Sequence, residues 1–197
     1  MGRPAAFNRE QVVDQVTDLF WKKGYLGTSI ADVVTATSLK PGSIYNSFDS
    51  KQKLLLAALD RYSGDSIRRI RHSLKGKERL LVAIEGMLRE LIELVADDPD
   101  AKGCLMLNIW LEMAAHDPVI AGYVEGVFTR MEAEIFEALA LAHQRGELNA
   151  GSDPRLLAKY LMMTIWGLQV MSRRRPDRAT LAALLEQALL PIRAAFA

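Results

Sequence analysis

The sequence predicts an all-α fold. Its apolar residues recur at spacings of three and four, which is the period of an amphipathic helix, and no segment sustains the alternation of a half-buried strand. Asp-Pro pairs divide the chain, and each places a capping side chain directly before a residue suited to a first helical turn. These pairs are Asp98-Pro99, Asp117-Pro118 and Asp153-Pro154.

The first predicted helix covers Arg9 to Lys23. Asn8 and Gln11 have the spacing of a capping box, in which a short polar side chain accepts from the first turn. Gly24 suits the left-handed conformation that ends many helices. One face of the segment is apolar and would be buried: it comprises Val12, Val16, Leu19 and Phe20.

Three further helices are predicted before residue 77. A short second helix follows Thr28, and a third begins near Lys40-Pro41 and ends before Phe48. Asp49 is placed to cap a long fourth helix that reaches about His72. Two short helices joined by a tight turn are typical of a helix-turn-helix, so residues 1–50 are predicted to form a small N-terminal head.

Five longer helices follow Gly76 and predict a larger helical domain over residues 77–197, with residues 51–76 as a connecting long helix. The last helix contains Pro191, which has no backbone N–H, so we expect a kink or fraying there. The five helices are predicted at 78–96, 103–115, 118–145, 154–174 and 178–196.

The composition is that of an ordinary globular chain: 197 residues, 50% of them hydrophobic. This apolar content excludes low-complexity disorder. The most apolar stretch, Tyr160 to Ser172, is shorter than the roughly 20 residues that span a bilayer, and no secretory signal is visible. The one cysteine, Cys104, cannot form an intrachain disulfide. We therefore expect a reducing, cytoplasmic location and no membrane partner.

Charge is divided unevenly along the chain. The net charge is +1, but residues 1–79 hold 14 Lys and Arg against 8 Asp and Glu, whereas residues 80–197 hold 11 against 16. A basic front half and an acidic rear half indicate a polyanionic partner for the front half alone.

The segment from Thr28 to Phe48 carries the pattern most specific for function. Its second short helix is too short to be stable alone, so Leu39, Ile44 and Phe48 must pack on the preceding helices. Gly42 keeps the N-terminal end slim, so backbone N–H groups can approach a phosphate. The polar side chains left toward solvent suit a major groove about 12 Å wide: they are Lys40, Ser43, Tyr45, Asn46 and Ser47.

From Asn8 to Tyr62, about a quarter of the chain, the sequence resembles the DNA-binding head of the TetR family of bacterial transcriptional regulators. The signal lies in the order and spacing of several short motifs. The resemblance implies an all-helical homodimer that binds palindromic double-stranded DNA and usually represses until a small effector binds the C-terminal domain. The motifs are Leu19-Phe20, Lys23-Gly24-Tyr25, Thr28-Ser29-Ile30-Ala31-Asp32-Val33, Gly42-Ser43-Ile44-Tyr45-Asn46-Ser47-Phe48 and Ser50-Lys51-x-x-Leu54.

The resemblance also implies roles for individual residues. Thr28 would bond a backbone phosphate, and Tyr45 and Lys51 would hold phosphates, which sets register rather than sequence. Arg3, in a short N-terminal arm, would reach a minor groove. Three further side chains would face base edges: Lys40, Ser43 and Asn46.

Two residues depart from the family pattern. Ser38 stands where the turn usually has a glycine, so we expect either a mildly strained backbone or a differently built turn there. Pro41 stands where a polar residue is common and offers no N–H, so we assign it no base contact.

Two helix faces in the C-terminal half carry large, adaptable apolar side chains. Core packing would explain both faces. The alternative, which the resemblance implies, is a pocket for a small apolar effector. One face comprises Met106, Trp110 and Met113, the other Met163, Trp166 and Val170, and the candidate polar anchors are Glu112, His116 and Gln169.

The last two predicted helices are rich in Leu and Ala. A pair of helices this apolar requires a partner, and two copies related by a two-fold axis would form a four-helix interface. We therefore predict a homodimer through these two helices. The run Arg173-Arg174-Arg175 between them is interpreted as solvated charge at a helix end.

Cys104 lies near a predicted helix start beside Lys102, and both features would favour the thiolate, whereas Asp98 and Asp100 oppose it. One interpretation is a small buried side chain. The other is a sensor of electrophiles or oxidants, because a related Gly-Cys-Leu stretch occurs in some TetR-family members that respond to them.

Two other classes of function stay open at this stage. A thiol-dependent enzyme would need Cys104 with a histidine, but no third orienting group is evident. A helical module that binds protein would ignore DNA at any salt concentration. We predict no enzyme activity, no catalytic residue, no cofactor and no metal site, since the three histidines lack ligand spacing.

Overall fold

The structure, a computed structural model, describes residues 8–197 and confirms the predicted all-α fold. Across that range nine helices are present, and the one strand-like feature is an isolated antiparallel bridge between Leu148 and Phe196. No helix in residues 8–197 has both the length and the apolar character that crossing a bilayer requires. In chain order the helices are α1 (Arg9–Lys23), α2 (Ile30–Thr37), α3 (Pro41–Phe48), α4 (Lys51–Leu74), α5 (Leu80–Ala96), α6 (Leu105–Met113), α7 (Pro118–Gln144), α8 (Pro154–Ser172) and α9 (Arg178–Ala194).

The helices pack as two compact units, each of which is built from two separate segments of the chain. The first unit contains the described residues up to Gly64 together with Leu105–Val124, and the second contains Asp65–Cys104 with Glu125–Ala197. Both α4 and α7 continue from one unit into the other. Packing thus groups α6 with the N-terminal helices, although the sequence division into 1–50, 51–76 and 77–197 separates them.

The first unit is built around the apolar faces of α1 to α4. α1 packs on α2, α2 on α3, and α1 also on α6. Phe20 is fully buried among them, and burial of a side chain of this size contributes on the order of 1.5–3 kcal/mol. The other buried residues of α1 to α4 include Val12, Val16, Val33, Ile44, Phe48, Leu54, Leu55 and Leu59.

In the second unit α5 packs against α8 and α9, and α8 packs against α9. An ion network on the surface ties α5 to α9. Arg193 donates to Glu85 at 2.7 Å and to Glu186 at 2.8 Å, and Arg89 donates to Glu186 at 2.6 Å. The buried side chains include Ile84, Leu88, Ile135, Leu139, Leu161, Leu185, Leu189 and Ile192.

One local expectation is wrong, and the fraying considered at Pro191 is not seen. Asp49 does not cap α4: it ends α3 with a φ of +61°, and the Ser50 hydroxyl caps α4 by accepting from the N–H of Lys53 at 3.1 Å. α9 continues past Pro191 to Ala194 without fraying. Pro191 lies in the last turn, where it removes one hydrogen bond only, and the buried Ile192 beside it holds the helix against its neighbours.

Candidate nucleic-acid interface

The start of α2 is fixed by a complete capping box. Ser29 Oγ accepts from the N–H of Asp32 at 3.1 Å, and Asp32 Oδ2 accepts from the N–H of Ser29 at 2.8 Å. Lys23 at the end of α1 adds an ion pair to Asp32 at 2.5 Å. The hydrogen bond from Lys23, followed by those from Ser29, holds the pKa of Asp32 well below its usual range. The charge on Asp32 therefore stabilises both ends of the loop between α1 and α2.

The turn between α2 and α3 is left-handed at Ser38, with a φ of +57°. Its N–H donates to the carbonyl of Val34 at 2.8 Å, which closes α2. Of the two alternatives expected at Ser38, this conformation is the strained backbone, because a residue with a side chain rarely adopts a positive φ. The tight turn sets α3 directly after α2, as a helix-turn-helix requires.

α3 has one buried face and one exposed polar face. Pro41 occupies its first turn, and Ile44 and Phe48 are buried against the rest of the unit. Arg9 lies over the ring of Phe48, with 4.8 Å between guanidinium carbon and ring centroid. The predicted orientation of α3 is confirmed. The exposed residues are Lys40, Pro41, Gly42, Tyr45 and Asn46, with Ser43 and Ser47 half-buried.

The N-terminal end of α3 is open, as the sequence predicts. An added Cβ at Gly42 would meet nothing within 4 Å. Backbone N–H groups there can approach a phosphate without a side chain in the way. The phosphate and base-edge roles of the α3 residues stay predictions, since they concern a DNA molecule.

Two of the predicted phosphate contacts are engaged within the protein. Thr28 is 1% exposed, and its hydroxyl donates to the carbonyl of Gly24 at 2.6 Å. The helix begins after Ser29, not after Thr28. Lys51 is half-buried at the start of α4, with its Nζ 4.3 Å from the ring centroid of Tyr25. Arg3 lies outside the described residues.

A contact that sequence reasoning missed joins α6 to the loop between α1 and α2. The Glu112 carboxylate accepts from the backbone N–H groups of Tyr25 and Leu26, at 2.9 and 2.7 Å. A second long-range contact joins α4 to the residue before α7, where the Gln52 side-chain amide donates to the Asp117 carboxylate at 2.6 Å. No local pattern pairs residues 65 to 87 positions apart, so these contacts could not be found from the sequence.

The predicted effector residues fall into two groups. Met106 and Met113 are buried and Trp110 is half-buried, all within the first unit. In the second unit the rings of Trp166 and Phe128 lie 4.9 Å apart between centroids. Met163 and Val170, from the same predicted face, are both exposed on α8. The effector role of these residues stays a prediction.

Cys104 directly precedes α6 and is half-buried. The loop before it is held by Asp98, which accepts from the N–H of Lys102 at 2.7 Å, and by Arg173, which donates to the carbonyl of Lys102 at 3.1 Å. Sequence reasoning interpreted Arg173 as solvated charge and missed this bond. Across residues 8–197 no group of three or more His, Cys, Asp and Glu could hold a metal ion.

Two family models match the chain. The model described as bacterial regulatory proteins of the tetR family matches residues 13–58, which contain α2 and α3. The model described as the tetracyclin repressor-like C-terminal domain matches residues 76–188, more than half of the chain.

Full-length similarities agree with both models. The chain is 29% identical to the transcriptional repressor ComR of Escherichia coli, over 94% of this chain and 87% of ComR. A crystal structure of a TetR regulator from Chloroflexus aurantiacus has 28% identity, 95% coverage of both chains and a TM-score of 0.84. A cysteine mutant of the TetR family regulator CifR, complexed with 26-base-pair operator DNA, has 29% identity, coverage of 95% of this chain and 98% of that one, and a TM-score of 0.79. The chain therefore belongs to the tetR family of bacterial regulatory proteins and is a transcriptional regulator.

Proposed function

We propose that the protein is a dimeric repressor that binds palindromic double-stranded DNA through α3 and is released by a small effector. The observation that carries the proposal is α3 itself, a short helix whose polar face is exposed and whose Ile44 and Phe48 are buried. The relatives ComR and DhaR are named transcriptional repressors. Because its partner would be chromosomal DNA, the protein would act in the cytoplasm.

On α3 the proposed roles follow side-chain chemistry. Asn46 can pair bidentately with adenine, and Lys40 can reach guanine, so both would read base edges in the major groove. Ser43 would add a hydrogen bond to either base. Tyr45 is exposed and would hold a phosphate, as would Lys51 from the start of α4.

We propose that dimerisation uses the outer faces of α8 and α9. Three apolar residues at intervals of seven lie exposed along α8, namely Leu156, Met163 and Val170. An apolar stripe of this kind is typical of a helix that packs on another helix. Leu184 and Leu190 are exposed on α9. We therefore assign Met163 to the dimer face rather than to the effector pocket.

A two-fold dimer also fits the DNA partner. Helix-turn-helix dimers bind two half-sites about one helical turn apart, roughly 34–36 Å from centre to centre, or a multiple of that distance. The symmetry of the protein is then mirrored in a palindromic operator.

For the effector, the candidate residues in the second unit lie on α7 and α8. Trp166 and Phe128 supply aromatic surface, and Gln169 on the same helix as Trp166 has a buried Oε1 with no hydrogen-bond partner. A buried acceptor without a donor is costly, so a ligand that donates a hydrogen bond there would bind favourably. An effector shifts the equilibrium between two packings of the protein only by its differential affinity for them. We propose that α4, which continues into both units, carries the change.

Cys104 supports a second type of effector, an electrophile or oxidant. The thiol is half-buried directly before α6, and Arg173 is bonded to the carbonyl of Lys102, two residues away. Mass spectrometry after mild quinone or peroxide treatment tests this idea. We expect an adduct on Cys104 and loss of DNA binding, and a Cys104→Ser variant that keeps binding under treatment. An unmodified Cys104, or a serine variant that is still released, would contradict it.

Selection of bound sequences from random duplexes tests the proposed function. We expect enrichment of a palindrome with two half-sites, and affinity that falls steeply as salt concentration rises. A purified protein that enriches no sequence and stays a single subunit would overturn the proposal. Binding to protein partners, with no binding to DNA at any salt concentration, would instead favour a helical interaction module.

A further inference from the structure

Glu112 makes the most specific long-range contact to the loop that joins α1 to α2. Its Oε2 accepts from the N–H of Tyr25 at 2.9 Å and its Oε1 from the N–H of Leu26 at 2.7 Å. All three residues lie within the first unit. Hydrogen bonds to a carboxylate are stronger than those between neutral groups. Two such bonds fix the orientation of the carboxylate relative to the loop as well as its distance.

The loop is shaped to receive this carboxylate. Gly24 has a φ of +75° and a ψ of 176°, a conformation that is essentially confined to glycine. An added Cβ there would lie 2.7 Å from Glu112 Oε2. Only a glycine both turns the chain at the end of α1 and leaves room for the carboxylate.

The position of Glu112 in α6 is otherwise unfavourable. It is the second-to-last residue of the helix, where the carbonyl ends carry partial negative charge and disfavour an acidic side chain. The backbone N–H groups of the loop compensate for this placement. The contact therefore has a local cost, which the loop N–H groups and the charge of nearby Lys51 offset.

The loop determines where α2 begins. The Thr28 hydroxyl donates to the carbonyl of Gly24 at 2.6 Å, and the Thr28 N–H donates to the carbonyl of Tyr25 at 3.3 Å. Ser29 follows and caps α2. Since α2 packs on α3, the placement of the loop also bears on where the polar face of α3 lies.

We propose that Glu112 is a positioning residue for DNA recognition: by binding the N–H groups of Tyr25 and Leu26 it fixes α2 and α3 in the orientation that reads base edges. A shift of α6 along its axis would break both bonds. The proposal rests on DNA binding by α3.

The test compares two substitutions of Glu112 with a matched control. Glu112→Ala removes both acceptors, Glu112→Gln keeps one, and Glu125→Gln changes an exposed glutamate of α7. Fluorescence anisotropy would measure affinity for the selected operator and for a scrambled duplex of equal length. Hydrogen exchange, measured without DNA, would follow the Tyr25 and Leu26 amides.

We expect Glu112→Ala to lower the ratio of operator to scrambled affinity about tenfold, as loss of one base contact would. Glu112→Gln should have an intermediate effect, and Glu125→Gln should stay within about twofold of the parent. A merely structural role for Glu112 would reduce the folded fraction and leave this ratio unchanged. The amides of Tyr25 and Leu26 should exchange faster in both Glu112 variants.

An unchanged ratio in folded Glu112→Ala, or unchanged exchange at both amides, overturns the proposal. If circular dichroism shows that Glu112→Ala is unfolded, Glu112→Gln decides by the same two criteria. A parent protein that selects no duplex overturns the proposed function first, before any variant is compared.

Discussion

The ammonium of Lys51 lies 4.3 Å from the ring centroid of Tyr25, so the first residue of α4 packs on the loop that follows α1. Burial lowers the pKa of Lys51, and the negative charges of Glu112 and Asp32 oppose this shift. A cation held in this way loses less conformational freedom when it meets a phosphate. The same contact gives the residue a structural role beside its proposed DNA contact.

Replacement of Lys51 by Ala separates these two roles. If Lys51 holds a phosphate, affinity should fall alike for operator and scrambled duplexes, and the slope of log affinity against log salt should shrink by about 1. Titrations at three or more salt concentrations measure this slope. A variant with a lower melting temperature and an unchanged slope would restrict Lys51 to packing on Tyr25.

Asn46→Ala should affect sequence reading instead. The side chain of Asn46 is exposed, so its removal leaves no buried gap and the variant should fold normally. Loss of a bidentate contact to adenine should cost about 1–3 kcal/mol at one position of each half-site and relax specificity there. Repeating the duplex selection with the variant measures this. An identical selected sequence would show that Asn46 reads no base.

Gly24→Ala and Gly86→Ala should change stability in opposite directions. The backbone of Gly24 suits only glycine, and a Cβ would displace the Glu112 carboxylate, so we expect a loss of about 2 kcal/mol. Gly86 lies inside α5 with nothing within 4 Å of an added Cβ, so alanine should raise stability by about 0.5–1 kcal/mol. Denaturant unfolding of both variants measures the difference. Equal effects would contradict the role of the Gly24 conformation.

Asp32 should make the head sensitive to acid. Its folded pKa is depressed by Lys23 and Ser29, so its contribution to stability is present above the ordinary carboxyl pKa of about 4 and is lost as pH falls toward the folded value. Asp32→Asn should therefore lower the melting temperature at pH 7, and the gap to the parent should close in acid. Asp14→Asn, which removes an exposed ion pair to Arg61, should change stability little at pH 7. A gap of constant size at every pH would contradict this assignment.

Met163→Glu should weaken the dimer. Met163 is 56% exposed in one subunit, and a two-fold interface through α8 would bring the introduced charge into an apolar contact. We expect the dissociation constant of the dimer to rise about tenfold or more, as measured by sedimentation equilibrium. Leu94→Glu on α5, at a site 57% exposed, is the matched control and should leave the dimer intact. Equal behaviour of the two variants would remove the α8 face from the interface.

Much of the site could be predicted because its determinants are local. The apolar spacing along α1, the capping residue Asn8 and the short polar sequence of α3 act within one or two helical turns, so the printed sequence contains them. The exposure of Asn46 and the burial of Ile44 follow from the same spacing. The family resemblance depends on these segments too.

Tertiary structure decided the contacts that hold this head in place. Glu112, considered from the sequence as a candidate polar anchor for an effector, binds backbone N–H groups of the α1–α2 loop instead, and Thr28 turns its hydroxyl inward to Gly24. The partners of Glu112 have no local signal, because they depend on where segments far apart in the chain come to lie. The bond from Thr28 spans only four residues, but the family resemblance assigns that hydroxyl to a phosphate instead. The sequence by itself determined which helices form and which face of α3 is polar. Packing alone decided that α6 belongs with the helix-turn-helix. The partners of Glu112 are backbone N–H groups, which nearly every residue carries, so no residue type in the sequence marks them.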